Sequence, residues 1–232
     1  MLKLPHPSII VFDLDNTLYD YDQPNTFATQ ALIEKISSQT FIETSEIKSA
    51  LEASRLNVKR RLGETASSHS RLLYIAEVYR LLNLFPNAEH FLNLEELFWG
   101  SYLSQMQLFP GVDDFIQLLK KHDIPLALVT DLTSNIQYRK LIKLGLDSCF
   151  DFILTSEETG GDKSTGLPFE LLSKICSTPL ANTWFIGDGK FDQPAIPNAG
   201  AIFFRKVEKM ATSEKASQYV FENFDELKGY VL

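Results

Sequence analysis

Short apolar runs alternate with helical patterns along this sequence, and that alternation limits its fold more than any other feature. Five apolar, β-branched runs predict buried strands, at residues 8–14 (SIIVFDL), 124–130 (IPLALVT), 152–156 (FILTS), 183–189 (TWFIGDG) and 201–205 (AIFFR). Helical patterns lie between them, at residues 112–121, 134–144, 169–176 and roughly 193–199. The alternation predicts an α/β fold, in which a Rossmann-like parallel sheet carries helices on both faces.

The stretch between the first two runs has a different pattern. Residues 20–107 are rich in helix formers and contain no buried-strand run. Apolar side chains recur at helical spacing along residues 47–62 and 72–82, and another helix is predicted after Asn93. We therefore predict a helical domain at 20–107, inserted into an α/β core formed by residues 1–19 and 108–232.

The composition narrows the classes of partner. The net charge of −8 argues against a nucleic-acid-binding surface, because clustered Lys and Arg supply most of the affinity for phosphate backbones. No apolar stretch approaches the length that spans a membrane, and the N-terminal run is too short for a signal sequence. We expect a cytoplasmic protein whose partner is a small molecule, with no nucleic acid and no membrane involved.

Polar side chains follow several of the predicted strands. Parallel strands end at a common edge of the sheet, where ligands bind, so we expect these side chains to converge: Asp13, Asp15, Thr130, Lys163, Asp188 and Asp192. Asp13 and Asp15 are two residues apart in an extended segment and point the same way. With Asp188 they form an oxygen-rich pocket suited to Mg²⁺, while a hydroxyl and an ammonium group remain to hold a phosphoryl group.

The order of these motifs resembles that of a known family. DLDNT, a strand ending in Thr130, then Lys163, then GDGKFD resemble the four motifs of the haloacid dehalogenase (HAD) superfamily of aspartate-nucleophile hydrolases. The resemblance spans nearly the whole chain. The predicted helical insert also resembles the family's helical cap, which closes over the active site and selects substrates. The resemblance implies a HAD-like core with an inserted α-helical cap.

The resemblance also implies roles for the residues of the first motif. Asp13 would be the nucleophile and a magnesium ligand. Asp15 would be the general acid and base, and would offer its backbone carbonyl to the metal. Thr17 would brace the loop that carries both acids.

The other three motifs complete the implied site. Thr130 would bind the phosphoryl group, helped by the amide of Asp131, and Lys163 would be the lysine of the third motif, with Lys174 a poorer choice inside a predicted helix. Asp188 would bind the metal. Asp192 would position Lys163 or a metal-bound water, although an acid at a helix N-terminus is the competing interpretation.

These residue types suit phosphoryl transfer, which depends on positioning and charge neutralisation. A carboxylate nucleophile needs no base, but a cation must offset its repulsion from an anionic phosphate. We therefore expect a magnesium-dependent phosphomonoester hydrolase that acts on a small phosphorylated metabolite through an aspartyl-phosphate intermediate. The alternatives are a phosphomutase, a metal-independent haloacid dehalogenase and a non-catalytic binding protein of the same fold. The sequence identifies neither the substrate nor the oligomeric state.

Overall fold

The computed structural model describes residues 4–176, 182–189, 201–208 and 219–231. Within them, six strands form one sheet in the order β3-β2-β1-β4-β5-β6. All neighbouring strands are parallel. The strands are β1 (Ile9–Phe12), β2 (Leu126–Thr130), β3 (Phe152–Thr155), β4 (Thr183–Gly187), β5 (Ile202–Lys206) and β6 (Val220–Phe221). The α/β fold predicted from the apolar runs is confirmed, and the short β6 is an addition to it.

Helices cover both faces of the sheet. The helices that follow the insert are α5 (Val112–Lys121), α6 (Ser134–Leu144), the single turn α7 (Ser156–Thr159), α8 (Leu167–Ile175) and α9 (Asp225–Val231). Ile10 and Phe12 of β1 belong to the apolar cluster that contains Phe115 of α5. Ile9 and Val11 point the other way, into the cluster with Phe169 and Leu172 of α8. Alternate residues of β1 therefore build two layers, as a strand buried on both sides requires.

The helix limits agree closely with the sequence pattern. α5 and α6 have the predicted bounds, whereas α8 begins two residues early because Pro168 is favourable in a first helical turn. The helix predicted after Asn93 instead begins at Ala88, since the Asn87 side chain accepts a hydrogen bond from the amide of His90 and caps it. The helix predicted at residues 193–199 lies outside the described residues.

Four helices and a 3₁₀ turn lie between β1 and α5, and we call them the helical segment. They are α1 (Asp22–Thr40), α2 (Thr44–Leu62), the turn Ala66–His69, α3 (Arg71–Leu81) and α4 (Ala88–Gln105). α1 packs mainly against α4, and α2 against α3. The helical insertion is thus confirmed, while the domain limits 1–19, 20–107 and 108–232 stay predictions. In the part of the chain that the structure describes, no helix combines the length and apolarity that crossing a membrane requires.

Candidate active site

Asp13 is the first residue after β1, and the sheet fixes its position. Its amide donates to the carbonyl of Ile186 in β4 over 2.9 Å. The residue is only 3% exposed. Thr17 Oγ1 donates to Asp13 Oδ2 over 2.8 Å, and Lys163 Nζ donates to Oδ1 over 2.5 Å. Both carboxylate oxygens therefore accept a hydrogen bond, one of them from a cation, which holds the side chain in a single orientation.

Asp15 has a separate set of partners. Lys140 Nζ donates to Oδ1 and Oδ2 over 2.8 and 2.9 Å, and the Tyr19 hydroxyl donates to Oδ1 over 2.5 Å. The Tyr19 and Tyr102 hydroxyls are 2.7 Å apart. Burial, and next the charge of Asp15, raise the pKa of Tyr19 well above its usual value, so Tyr19 stays a donor at neutral pH. The two acids of DLDNT thus each face their own lysine.

Lys140 was not among the residues predicted from the sequence. It lies in α6 and is fully buried. Burial lowers the pKa of its ammonium group, and the nearby charge of Asp15 acts in the opposite direction. A signal was present in the sequence, because Ile136, Lys140 and Leu144 are spaced four apart on the buried face of this helix.

Thr130 ends β2 and is buried. Gln137, also from α6, donates from Nε2 to Thr130 Oγ1 over 2.5 Å and to the carbonyl of Asp131 over 2.6 Å. Gln137 was likewise missed by the sequence analysis, since a glutamine in a helix carries no recognisable motif. Its two bonds fix the loop that follows β2.

Asp131 turns its side chain toward the loop that carries Lys163. Asp131 Oδ1 accepts from the amide of Lys163 over 2.8 Å and from Ser156 Oγ over 3.0 Å. These bonds give an acid at this position a structural role, because they tie the Lys163 backbone to the end of β2. Lys163 is 6% exposed, whereas Lys174 lies exposed on α8, which matches the choice made between the two from the sequence.

The helical segment contacts the same loop. His69 Nε2 lies 2.8 Å from Asp162 Oδ2, and the amide of Asp162 donates to the carbonyl of Glu64 over 3.2 Å. Burial alone would raise the pKa of Asp162, but the hydrogen bond and charge of His69 outweigh it and hold the pKa of this carboxyl below its usual value. The residue before Lys163 is thereby joined to the helical segment.

A cavity of about 450 Å³ unites most of the predicted residues. Six of them line it together: Asp13, Asp15, Thr130, Asp131, Lys163 and Asp188. Thr17 braces Asp13 through its hydrogen bond. Asp192 lies outside the described residues. The helical segment contributes most of the remaining lining, including Asn25, Arg55, Lys59, Arg71 and Phe98, and Tyr21 lies just before it.

The oxygen atoms in this cavity fit a magnesium ion. Among the described residues there is no cluster of three His, Cys, Asp or Glu side chains arranged to hold a metal. Mg²⁺ does not need one, because it keeps several waters and usually binds through one or two carboxylates and the substrate phosphate. Asp13 and Asp188 line one cavity, which places two carboxylate residues there.

Known proteins match the chain over most of its length. Residues 7–200 match the family model of haloacid dehalogenase-like hydrolases. A ribulose-1,5-bisphosphate 5-phosphatase from Halopiger xanaduensis is 31% identical over 217 residues, which cover 92% of this chain and 91% of that protein. A phosphoglycolate phosphatase from Neisseria meningitidis is 24% identical over 207 residues, which cover 86% of this chain and 80% of that protein.

A solved structure shares the fold. It is described as a HAD hydrolase from Bacillus subtilis bound to magnesium, and it superposes with a TM-score of 0.66. The two chains are 23% identical, and the match covers 98% of this chain and 99% of the other. At that identity the likeness extends to the fold alone.

Proposed function

Because this chain belongs to the haloacid dehalogenase-like hydrolase family, we propose that it is a magnesium-dependent phosphatase that transfers the phosphoryl group of a small metabolite to Asp13. The observation that carries the proposal is the setting of Asp13, whose carboxylate accepts from Lys163 and Thr17 in a cavity that Thr130 and Asp188 also line. The two relatives compared above carry the names of phosphatases, which supports phosphoryl chemistry.

In the first step an Asp13 carboxylate oxygen attacks phosphorus in line with the ester oxygen. The new bond joins Asp13 to phosphorus, the ester bond breaks, and Asp15 gives a proton to the departing oxygen. The Lys163 ammonium group offsets negative charge, and the Thr130 hydroxyl with the amide of Asp131 holds the phosphoryl oxygens. The hydrogen bonds to Thr17 and Lys163 orient Asp13 beforehand.

In the second step water attacks the aspartyl phosphate. Asp15 accepts a proton from that water, the bond between phosphorus and Asp13 breaks, and inorganic phosphate leaves. Lys140 and Tyr19 supply three hydrogen bonds to the Asp15 carboxylate, two at Oδ1 and one at Oδ2, so Oδ2 keeps a lone pair for the reacting proton. Lys140 and Tyr19 therefore orient Asp15 between the two steps.

Magnesium would be held by the carboxylates of Asp13 and Asp188 and the carbonyl of Asp15, with Asp192 supporting Lys163 or a bound water. When bound, the ion supplies positive charge that lowers the repulsion between Asp13 and the phosphate. We propose that the substrate is a small phosphate ester and that the protein is cytoplasmic.

Metal dependence is the direct test of this function. We expect p-nitrophenyl phosphate hydrolysis to require Mg²⁺ and to fall to background in excess chelator. Without the ion, Asp13, Asp15, Asp131 and Asp188 outnumber the cations at the sheet edge and repel the phosphate. Released nitrophenolate is measured before chelation, after it, and after Mg²⁺ is added back. Full turnover in chelator would reject the proposal, and metal-independent halide release from a 2-haloacid would favour the dehalogenase alternative.

A second test separates Asp15 from Asp13. Asp15→Asn keeps the nucleophile and the backbone carbonyl but cannot accept a proton, so it should slow the water step by roughly 10²- to 10⁴-fold. With an activated aryl phosphate in a single turnover, we expect a burst of phenolate and phosphate trapped on Asp13. The exposed Asp147 offers the matched control Asp147→Asn, which should behave as wild type. Steady-state turnover by Asp15→Asn near the wild-type rate would contradict the assignment.

A further inference from the structure

Charge is distributed unevenly around the cavity. The acids that line it from the sheet edge, Asp13, Asp15, Asp131 and Asp188, are accompanied there by Lys163. The opposite wall comes from the helical segment, where three cations line the cavity against one acid, Glu52. These cations, Arg55, Lys59 and Arg71, are called the cationic wall below. The two ends of the cavity therefore favour ligand groups of different kinds.

The cationic wall is not neutralised by any carboxylate in the described part of the chain. Among the residues that the structure describes, Arg55, Lys59 and Arg71 form no ion pair with a carboxylate within 4.0 Å. Among the acids, Asp162 has the largest effect on the pKa of Lys59, and the Asp162 carboxylate is already bonded to His69. Arg61 in the same helix differs, since it points away from the cavity and pairs with Glu77 over 3.5 Å.

The contacts that hold Arg71 in the described ranges are all with neutral groups. It donates to the Tyr21 hydroxyl over 2.6 Å, to Asn25 Oδ1 over 3.3 Å and to the carbonyl of His69 over 3.0 Å. Its guanidinium also lies 5.2 to 5.5 Å from the ring centroids of three aromatic residues, Tyr74, Phe98 and Trp99. These contacts fix its orientation and leave its positive charge uncancelled.

Assembling these cations costs stability. Arg55 and Lys59 are four residues apart on α2, where like charges repel. Burial, and next the charge of Arg55, lower the pKa of Lys59. An anion bound between the cations would offset this repulsion, and the cavity gives an anion access to them.

We propose that the cationic wall binds a second anionic group of the substrate, a phosphate or a carboxylate, so that the preferred substrate is a small phosphate ester with two anionic groups. The inference rests on the proposed function, in which the first phosphate lies against Asp13 and Lys163. The cavity, at about 450 Å³, is within the range that holds a metabolite of sugar-phosphate size. Arginine and lysine side chains without a competing carboxylate are the groups that select such anions.

Paired substrates test the second anion in the wild-type protein. In each of two pairs, the compounds differ only in the second anionic group. The first pair is a pentose 1,5-bisphosphate and the pentose 5-phosphate, and the second is phosphoglycolate and ethyl phosphate. We expect kcat/KM to be at least about 10-fold higher for one doubly anionic member, mainly through a lower KM. A preference in the first pair assigns a phosphate to the cationic wall, and one in the second pair assigns a carboxylate.

Substitutions locate the preference on α2. Arg55→Gln and Lys59→Gln should each reduce the ratio of kcat/KM values within the preferred pair by about 10-fold. Arg60→Gln is the matched control, since Arg60 is exposed on the same helix, does not line the cavity and loses the same charge. Binding of the doubly anionic compound is measured by calorimetry in Asp13→Asn, where adding Arg55→Gln should weaken it by a similar factor without any turnover.

The outcomes separate the two proposals. If wild type hydrolyses phosphate esters but shows no preference in either pair, or if Arg60→Gln lowers the preference as much as Arg55→Gln, the second-anion inference is wrong and the phosphatase proposal stands. If no phosphate ester is hydrolysed with Mg²⁺, the phosphatase proposal is wrong. Weaker binding in the Arg55→Gln protein would still support an anion site in that case.

Discussion

Asp13→Asn should abolish turnover of every phosphate ester, with a loss of at least about 10⁴-fold in kcat. The amide that replaces the carboxylate has nearly the same shape but is a far weaker nucleophile. It also keeps one oxygen that can accept from Lys163 or Thr17, the two donors that hold Asp13 in the native protein. The loss is therefore chemical in origin and does not depend on a collapse of the site.

The measurement pairs kcat with detection of the phosphoenzyme. Asp13→Asn should accumulate no covalent phosphate from a labelled aryl phosphate, whereas Asp15→Asn should accumulate it. Circular dichroism and thermal unfolding serve as the check on folding, because the variant removes the Asp13 carboxylate that pairs with the buried Lys163 ammonium group, and breaking a fully buried pair costs about 3 to 5 kcal/mol. A folded Asp13→Asn protein that retains a hundredth of the wild-type rate would show that another residue is the nucleophile.

Lys163→Met should lower kcat severely, by roughly 10²- to 10³-fold, which is the usual effect of removing one group that stabilises transition-state charge. Lys163 Nζ contacts the proposed nucleophile directly and is buried beside it. Methionine keeps most of the volume of the side chain and removes only the charge. The effect should therefore fall on the rate more than on the packing of the loop.

Lys174→Met is the matched control, because Lys174 lies exposed on α8 and its substitution should change stability by no more than about 0.5 kcal/mol. Rates are compared at saturating substrate and Mg²⁺, so that a change in KM does not hide a change in kcat. Equal effects from the two substitutions would show that the third motif is misplaced. If Lys163→Met lowers kcat only slightly and Lys140→Met lowers it severely, Lys140 and not Lys163 neutralises the charge.

The sequence alone determined the sheet and the edge at which the candidate site lies. Strand-length apolar runs without polar alternation place apolar side chains on both faces of the sheet, so both faces must be buried. The carboxyl ends of parallel strands lie at one edge of the sheet. Residues that follow those runs, such as Asp13, Thr130 and Asp188, therefore meet in one cavity whatever the details of the helices. The helical insertion was equally predictable, because apolar residues with a 3.6-residue period form one face of a helix and do not match the two-residue period of a strand.

Only the tertiary structure decided how the charges pair. Lys140 reaches Asp15 across 125 residues of sequence, and the Asp131 carboxylate bonds to the Lys163 amide and to the Ser156 hydroxyl. The spacing of Lys140 from Ile136 and Leu144 places it on the apolar face of α6, although lysines are mostly exposed. That this face brings the ammonium group to Asp15 depends on how α6 packs, which the spacing does not encode.

The cationic wall, too, was decided only by the tertiary structure. Arg55 and Lys59 come from α2 and Arg71 from the start of α3, and each has the sequence context of an ordinary surface charge. They line one cavity because the helical segment packs with that side toward the carboxyl edge of the sheet. Periodicity fixes which side chains share a face of a helix, but the direction in which that face points is set by contacts between elements that are distant in the chain.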